Sequence, residues 1–286
     1  MAANPIIRHK FTADPTVLEH AGTVYLFTGH DDPPPDVDDY VMKDWLCFTS
    51  TDLKAWDDRP SPLKATDFSW ASGDAYASKV IAHGGAFYWF VAVSHRDIPG
   101  KAIGVAKALS PGGPWHDAIG APLITGDMLP QLHNDKENLD PTVYIDDDGK
   151  AYICWGHQVC HFAQLNASFT ALESEIRTIG LPQFMEGSHL YRKNGWYYLM
   201  YGYGQPEQIG YAMSRSIHGP WEFRGIVCGP AVNSETNRPA TLDFMGKSWL
   251  FYHNGALPGG GSHRRSVCVD ELHYMPDGTI APLVMT

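Results

Sequence analysis

Five times along this sequence a short strand, a turn rich in Gly or Asp, and an aromatic strand follow one another. The copies read DPTVLEHAGTVYLFTGH from Asp14, SKVIAHGGAFYWFVAVSH from Ser78, DPTVYIDDDGKAYICWGH from Asp140, EGSHLYRKNGWYYLMYGY from Glu186 and RPATLDFMGKSWLFYHNG from Arg238. Each copy continues into a third strand. In CFTSTDLKAWDD, IGVAKALSPGGPWHD and IGYAMSRSIHGPWEF that strand closes on a Ser or Asp turn and a Trp. CHFAQLNASFTALES keeps the strand but loses the Trp, and SVCVDELHYMPDGTI ends on an Asp-Gly turn. Sheets this small cannot bury both faces alone, so five alike must pack on one another. Radial packing around an axis predicts an all-β chain folded as a five-bladed β-propeller. A β-sandwich is the competing all-β arrangement, but it does not account for five similar units.

Composition agrees with short strands joined by many turns: 28 Gly, 21 Pro and nine Trp, with 12% aromatic residues. The richest Pro and Gly stretches, 31–40 and 257–265, fall inside repeats, so they read as loops on one face and residues 1–286 as a single domain. A net charge of −11 argues against nucleic acid or an anionic membrane surface as partner, since both require basic patches. No apolar run approaches the roughly 20 residues of a membrane span. The start, MAANPIIRHKF, has neither the basic stretch nor the apolar core of a secretory signal. The five cysteines, an odd number with no framework spacing, suggest free thiols in a reducing compartment. The expected location is therefore cytoplasmic.

In a propeller the first strand of each blade lines the axis, and the starts of these strands share one face. Alignment of the copies brings Asp14, Ser78, Asp140, Glu186 and Arg238 to equivalent positions, so three carboxylic acids from separate blades converge on one axial pocket. Converging carboxylates repel and desolvate one another, a cost that points to use in catalysis; capping a turn or meeting an arginine is the structural alternative. Proline after Asp14 and Asp140 predicts extended backbone at both aspartates. Three acids beside many aromatic side chains suit cleavage of a glycosidic bond. One acid protonates the departing oxygen while another carboxylate activates water from the opposite face, with about 6.5–9.5 Å between the two in an inverting enzyme. A third acid can orient the sugar and set the proton donor's pKa.

The residues that carry this reading also carry a resemblance. ADPTV, NLDPTVYIDDDGKAYICWG, EGSHLYRKNGWYYLMYG and YHNGALPGGGSHRRSV, spread over nearly the whole chain, resemble glycoside hydrolase family 43, five-bladed propeller enzymes acting on arabinose- and xylose-containing polysaccharides. The resemblance implies that Asp14 is the general base, that Glu186 is the general acid, and that Asp140 tunes and orients Glu186, with inversion at the anomeric carbon. It also implies that Arg265 binds the sugar, with Arg264 beside it a surface charge; a structural salt bridge is the alternative for either. Asp31, after the first aromatic strand, and Trp70, on the loop before the second repeat, are candidates for substrate contact or for loop structure.

His30, His95, His157 and His253 end the second strand in four of the five repeats, a pattern that fits packing and hydrogen bonding as well as metal ligation. The resemblance implies a structural Ca²⁺ in the central channel near His253. Calcium prefers oxygen ligands, so one imidazole plus waters would be an unusual site. No HExxH or paired CxxC argues for zinc, and no GxSxG, Walker A or strand-linked GxGxxG argues for other chemistries. The five repeats fill the chain, leaving no room for the accessory β-sandwich of many relatives, so selectivity is expected from propeller loops, with 31–44 and 126–138 as pocket walls. The expected activity is that of an exo-acting, bifunctional β-xylosidase and α-L-arabinofuranosidase on short xylo- and arabino-oligosaccharides. An endo-α-1,5-L-arabinanase and a non-catalytic sugar-binding propeller are the alternatives.

Overall fold

In the computed structural model, which describes residues 4–286, each repeat becomes one antiparallel sheet. Blade 1 comprises β1 (Thr12–His20), β2 (Thr23–His30), β3 (Asp44–Ser50) and β4 (Asp57–Lys64). Blade 2 comprises β5 (Ala71–Gly73), β6 (Ser78–His83), β7 (Ala86–His95), β8 (Lys101–Ala108) and β9 (His116–Asp117). Blade 3 is β10 (Thr142–Ile145), β11 (Ala151–Trp155), β12 (Cys160–Leu165) and β13 (Arg177–Ile179). Blade 4 is β14 (His189–Lys193), β15 (Trp196–Tyr203), β16 (Gln208–Ser214) and β17 (Glu222–Cys228); blade 5 is β18 (Ala240–Phe244), β19 (Lys247–Asn254) and β20 (Ser266–Leu272). Strand order follows chain order in every blade, save that β5 and β6 both pair with β7, β5 at its far end where Ala71 faces His95.

The middle strands are apolar on both sides because each blade is covered on both faces by its neighbours. β7 is the extreme case: AFYWFVAV is buried throughout. The core is accordingly divided into five clusters, one between each adjacent pair of blades: 1 and 2 around Phe27, Trp45 and Trp89, 2 and 3 around Phe90 and Trp155, 3 and 4 around Phe162 and Tyr201, 4 and 5 around Met200 and Tyr252, 5 and 1 around Phe48 and Phe251. That set closes the ring. The repeated Trp of the outer turn is a wedge in this packing. Trp115 of blade 2 meets Phe27 and Trp89, with ring centroids 6.3 and 5.1 Å away, and Trp56 of blade 1 meets Phe251 of blade 5 at 6.3 Å. In blade 3, where the Trp is missing, Phe169 fills the corresponding gap, 4.6 Å from Tyr88 and 6.0 Å from Phe90.

Closure between the first and last blades adds hydrogen bonds to their shared core. The segment before β1 runs along β20, with Ile6 N–H donating to the Val267 carbonyl (2.9 Å), Thr12 N–H to the Arg265 carbonyl (2.8 Å) and Val269 N–H to Asn4 Oδ1 (2.9 Å). The edge of the three-stranded last blade is thereby covered rather than left as a template for pairing with another chain.

The backbone at the two DPTV aspartates differs from the extended geometry expected before proline. Asp14 and Asp140 have φ of 52° and 55°, in the left-handed region. The β1–β2 register slips between Ala13 and Thr16, so Asp14-Pro15 forms a bulge in an otherwise regular ladder. A bulge re-aims a side chain, and Asp is among the few non-glycine residues that tolerate this conformation. Tertiary demand to point a carboxylate into the channel overrides the local preference. In blade 4 the kink falls one residue later, on Gly187 (φ 69°), where an added Cβ would stand 3.3 Å from the Asn237 carbonyl oxygen.

Candidate active site

The starts of the inner strands surround a cavity of about 230 Å³ lined by Asp14, Asp140, Glu186 and Arg265. The three acids expected to converge therefore do so, each brought in by a different blade. Asp14 and Asp140 are buried, at 7% and 6% exposure, whereas the Glu186 side chain is 19% exposed and faces the opening.

Asp14 sits in a basic corner. Its Oδ1 accepts a hydrogen bond from Arg265 Nη1 (3.1 Å), and its backbone N–H donates to His253 Nδ1 (3.2 Å). Burial pushes the Asp14 carboxyl above the ordinary range, while the positive charges of Arg265 and Arg238 pull it back down. Arg265 is itself oriented by Asp31, which receives Nε–H (2.9 Å) and Nη2–H (3.0 Å) in a bidentate pair and also the Arg265 backbone N–H (2.9 Å). The planar fork matches a carboxylate, so Asp31 sets the plane from which Arg265 reaches Asp14.

Asp140 and Glu186 form the second corner. Asp140 Oδ2 accepts the Gly187 N–H (2.8 Å) and its carbonyl accepts Ser188 Oγ–H (3.1 Å), so the residues that follow Glu186 are anchored on Asp140. Burial pushes the Asp140 carboxyl up to about 7; Arg238 opposes this, and the charges of Glu186 and Asp14 add to it. Glu186 Oε2 shares a 2.8 Å hydrogen bond with His157 Nδ1, and that bond raises the imidazole above its ordinary value against the effect of burial. A fourth acid, Glu207, is buried at 2% exposure and lines the same cavity. Its Oε2 accepts the Asn237 N–H (2.8 Å), and burial followed by the Glu186 charge pushes its carboxyl well above the usual range. Gly202 makes room for it, since a Cβ there would stand 2.6 Å from Glu207 Oε2.

The loops expected to form walls do so: 31–44 contributes Tyr40 and 126–138 contributes Lys136. Arg265 Cζ lies 4.9 Å from the Tyr40 ring centroid, and Lys101 Nζ lies 4.2 Å from that of Tyr76. Arg264 is more than a surface charge, because its Nη2 donates to the carbonyls of Pro34 (2.8 Å) and Val37 (3.1 Å) and ties the acidic loop to blade 5.

Three expectations need correction. Asp31 is 2% exposed and fully occupied by Arg265, so it orients the arginine and offers no oxygen to a sugar. Trp70 is not part of the cavity lining: it stacks on His95 (5.7 Å, 25°) and donates its indole N–H to Asp117 Oδ2 (3.0 Å), while Tyr40 and Tyr76 supply the aromatic wall. His253 is fully buried, with Nδ1 accepting from Asp14 N–H and Nε2–H donating to the Thr236 carbonyl (2.9 Å). Both ring nitrogens are in use and burial holds the imidazole neutral, at about 3, so His253 does not fit the role of ligand to a channel Ca²⁺. Among the described residues no group of three His, Cys, Asp or Glu side chains is arranged to hold a metal ion.

The strand-end histidines do separate jobs. His30 bonds Asp44 (2.9 Å), and His95 Nδ1 accepts the backbone N–H of Asp97 (3.0 Å) and Ile98 (2.8 Å). Only His157 meets the proposed proton donor. The cavity residues that the repeat alignment missed, Tyr40, Tyr76 and Glu207, lie in loops where the copies diverge. For His157 the recurring strand-end histidine was a signal, but without a partner attached.

Comparison with known proteins agrees with this geometry. The sequence profile of Glycosyl hydrolases family 43 matches residues 2–280. Xylosidase/arabinosidase 43A of Humicola insolens is 28% identical, covering 96% of this chain and 98% of that protein. Arabinoxylan arabinofuranohydrolase of Bacillus subtilis (strain 168) is also 28% identical, over 97% of this chain, which spans 63% of that relative's length. Among solved structures, a β-xylosidase/α-arabinofuranosidase from a compost microbial metagenome, in complex with xylotriose and in its calcium-free form, superposes with a TM-score of 0.86 at 26% identity, covering 98% of this chain and 97% of that one.

Proposed function

The chain belongs to glycosyl hydrolase family 43 and is a glycoside hydrolase, and from that premise we propose that it releases xylose and arabinose from the ends of short xylo- and arabino-oligosaccharides with inversion at the anomeric carbon. Asp14, as the carboxylate, takes a proton from a water molecule. That water's oxygen forms the new bond to the anomeric carbon from the face opposite the leaving group. Glu186, protonated, transfers its proton to the glycosidic oxygen as the old bond breaks, so the leaving sugar departs as a neutral alcohol. Each turnover leaves Asp14 protonated and Glu186 ionised, and exchange with solvent restores both. Asp140 acts through the backbone, holding Gly187 and thereby the Glu186 side chain in place, and Arg265 is the donor beside the base where sugar hydroxyls would lie.

One observation carries the reading: a single small cavity holds one carboxyl against a guanidinium and another against an imidazole and two further acids. A carboxylate paired with a guanidinium is suited to act as base, and a carboxyl set among an imidazole and further acids is suited to carry a proton. The volume, about 230 Å³, is below the roughly 300–1,000 Å³ of pockets for drug-sized ligands, which supports cleavage at a chain end over an open cleft. Names of the relatives, which join xylosidase to arabinosidase, support acceptance of both pentoses.

The experiment is proton NMR of fresh xylobiose hydrolysate, with nitrophenyl β-xyloside and α-L-arabinofuranoside assayed in parallel. The α-anomer of xylose should appear first and only monomers should accumulate. The β-anomer appearing first would overturn inversion, mixed oligomers from arabinan would indicate endo cleavage, and saturable sugar binding without turnover would leave a lectin.

A further inference from the structure

We propose that the guanidinium of Arg238 is the resident cation of the central channel, a positioning residue for the acid pair that makes the fold and the catalytic balance independent of a divalent metal ion. Arg238 precedes β18 of blade 5 and is 4% exposed. Its Nη1 donates to the Ser78 carbonyl (2.9 Å) and its Nη2 to the Pro141 carbonyl (3.1 Å). Ser78 begins the inner strand of blade 2, and Pro141 immediately precedes that of blade 3. In a ring of five, blades 4 and 1 flank blade 5, as their shared cores show, and blades 2 and 3 lie opposite. A side chain from blade 5 can reach both carbonyls only by crossing the axis.

The two carbonyl oxygens are hard donors of the kind Ca²⁺ takes, and here they are satisfied by N–H groups. The groups facing Arg238 are the carboxyls of Asp14 and Asp140, with Glu186 beside Asp140, and the basic side chains of Lys79 on β6 and His189 on β14. Lys79 is pushed down to about 8 and His189 well below its ordinary value, in both cases by burial first and then by neighbouring positive charge. A divalent ion entering this channel would meet the positive charge of Arg238, and among the described residues no group of three His, Cys, Asp or Glu side chains is arranged to hold it. Among the described residues Arg238 forms no carboxylate ion pair at hydrogen-bond distance, and its Nε–H is buried without an acceptor. A buried guanidinium so placed acts at longer range, and its charge is the second or third influence, after burial, on Asp140 and Asp14.

The calcium arm of the test does not depend on the hydrolase reading, and the kinetic arm does, so the two can fail separately. In the first, wild-type protein is treated with EDTA, then titrated with CaCl₂ by calorimetry and by thermal unfolding. No binding heat and a Tm constant within about 1 °C are expected. A saturable heat, or a Tm several degrees higher with calcium, would overturn the proposal. In the second, Arg238→Gln keeps an N–H donor for the carbonyls and drops the charge, while Arg238→Lys keeps the charge. The acidic limb of the kcat/KM–pH profile should move up by about one pH unit in Arg238→Gln and stay in place in Arg238→Lys. If Arg238→Gln loses Tm while its profile stays in place, Arg238 is a structural staple only, and the electrostatic role is wrong. Should Arg238→Gln fail to fold, the wild-type calcium titration decides.

Discussion

The two corners of the cavity are built from the same kind of residue and partnered differently. The Asp14 corner sets its carboxylate against the Arg265 guanidinium at 3.1 Å, itself held by the buried Asp31. Among the described residues the Glu186 corner has no arginine in hydrogen-bond contact, and it gathers Asp140 and Glu207, both with carboxyls raised by burial and by neighbouring negative charge, beside His157. Positive charge favours the ionised form and opposes the burial that raises Asp14, whereas neighbouring negative charge adds to burial at Asp140 and Glu207. The contrast between the corners, rather than either carboxylate alone, makes an acid–base pair.

The largest effect should come from removing either member, and leaving-group dependence separates them. Asp14→Asn should lower kcat by about 10³–10⁴-fold on every substrate. Glu186→Gln should lose as much on xylobiose but only about 10-fold on dinitrophenyl xyloside, whose leaving group needs little protonation. Equal losses on both substrates would erase the distinction between the corners.

Next in size is the clamp behind the base. Arg265→Leu leaves Asp31 buried and unpaired and should cost about 3–5 kcal/mol of stability by denaturant unfolding. Adding Asp31→Leu should recover most of the stability and none of the activity. Recovery of activity would mean that Arg265 serves only Asp31.

A third effect changes sign between stability and catalysis. The Asp140 carboxyl is raised in the folded state, so its contribution is fully present below the ordinary carboxylate value near 4 and is lost as pH rises through about 7. Asp140→Asn retains an acceptor for the Gly187 N–H without this loss. The variant should therefore be more stable than the wild type at pH 8, by an amount on the order of 2–4 kcal/mol, and closer to it at pH 4, while turnover falls. Thermal unfolding at both pH values reads it out; a gap that does not widen with pH would show that Asp140 is not held near neutrality.

The smallest concerns His157. Because Glu186 raises it, its stabilisation is present at low pH and lost as pH rises through the raised value. His157→Gln should cost less than about 1 kcal/mol at pH 5, since the pair is partly exposed, and nothing at pH 9. A constant cost would assign the histidine to packing.

Much of this molecule can be read without coordinates, because the repeat is itself a statement about packing. Alternation and turns give the strands, five similar units demand radial arrangement, and equivalent positions in the repeats bring Asp14, Asp140 and Glu186 to one place. That the third unit lacks the Trp is legible too, whereas Phe169 as the residue that fills the gap is shown by packing alone. What alignment of repeats cannot supply is contact between positions that are not equivalent. Asp31 and Arg265 are separated by 234 residues and become a clamp only when the ring closes. Trp70 and Tyr40 both read as loop aromatics, and only the paths of their loops decide which one faces the cavity.

The left-handed backbone of Asp14 and Asp140 belongs to the same class. Local preference before proline favours extended chain, and the left-handed turn imposed by the axial position, a bulge at Asp14, prevails because it aims the carboxyl inward. His253 and Arg238 are the last case. Read along the chain, a strand-end histidine suggests a ligand and an arginine before a proline suggests nothing. Across the axis, the histidine's nitrogens are occupied and the arginine spans the channel. The sequence determined the repeat, the fold it demands and the identity of the three acids, since those follow from periodicity. Tertiary structure decided their protonation environments, because burial and charge at a distance depend on which blades stand opposite one another.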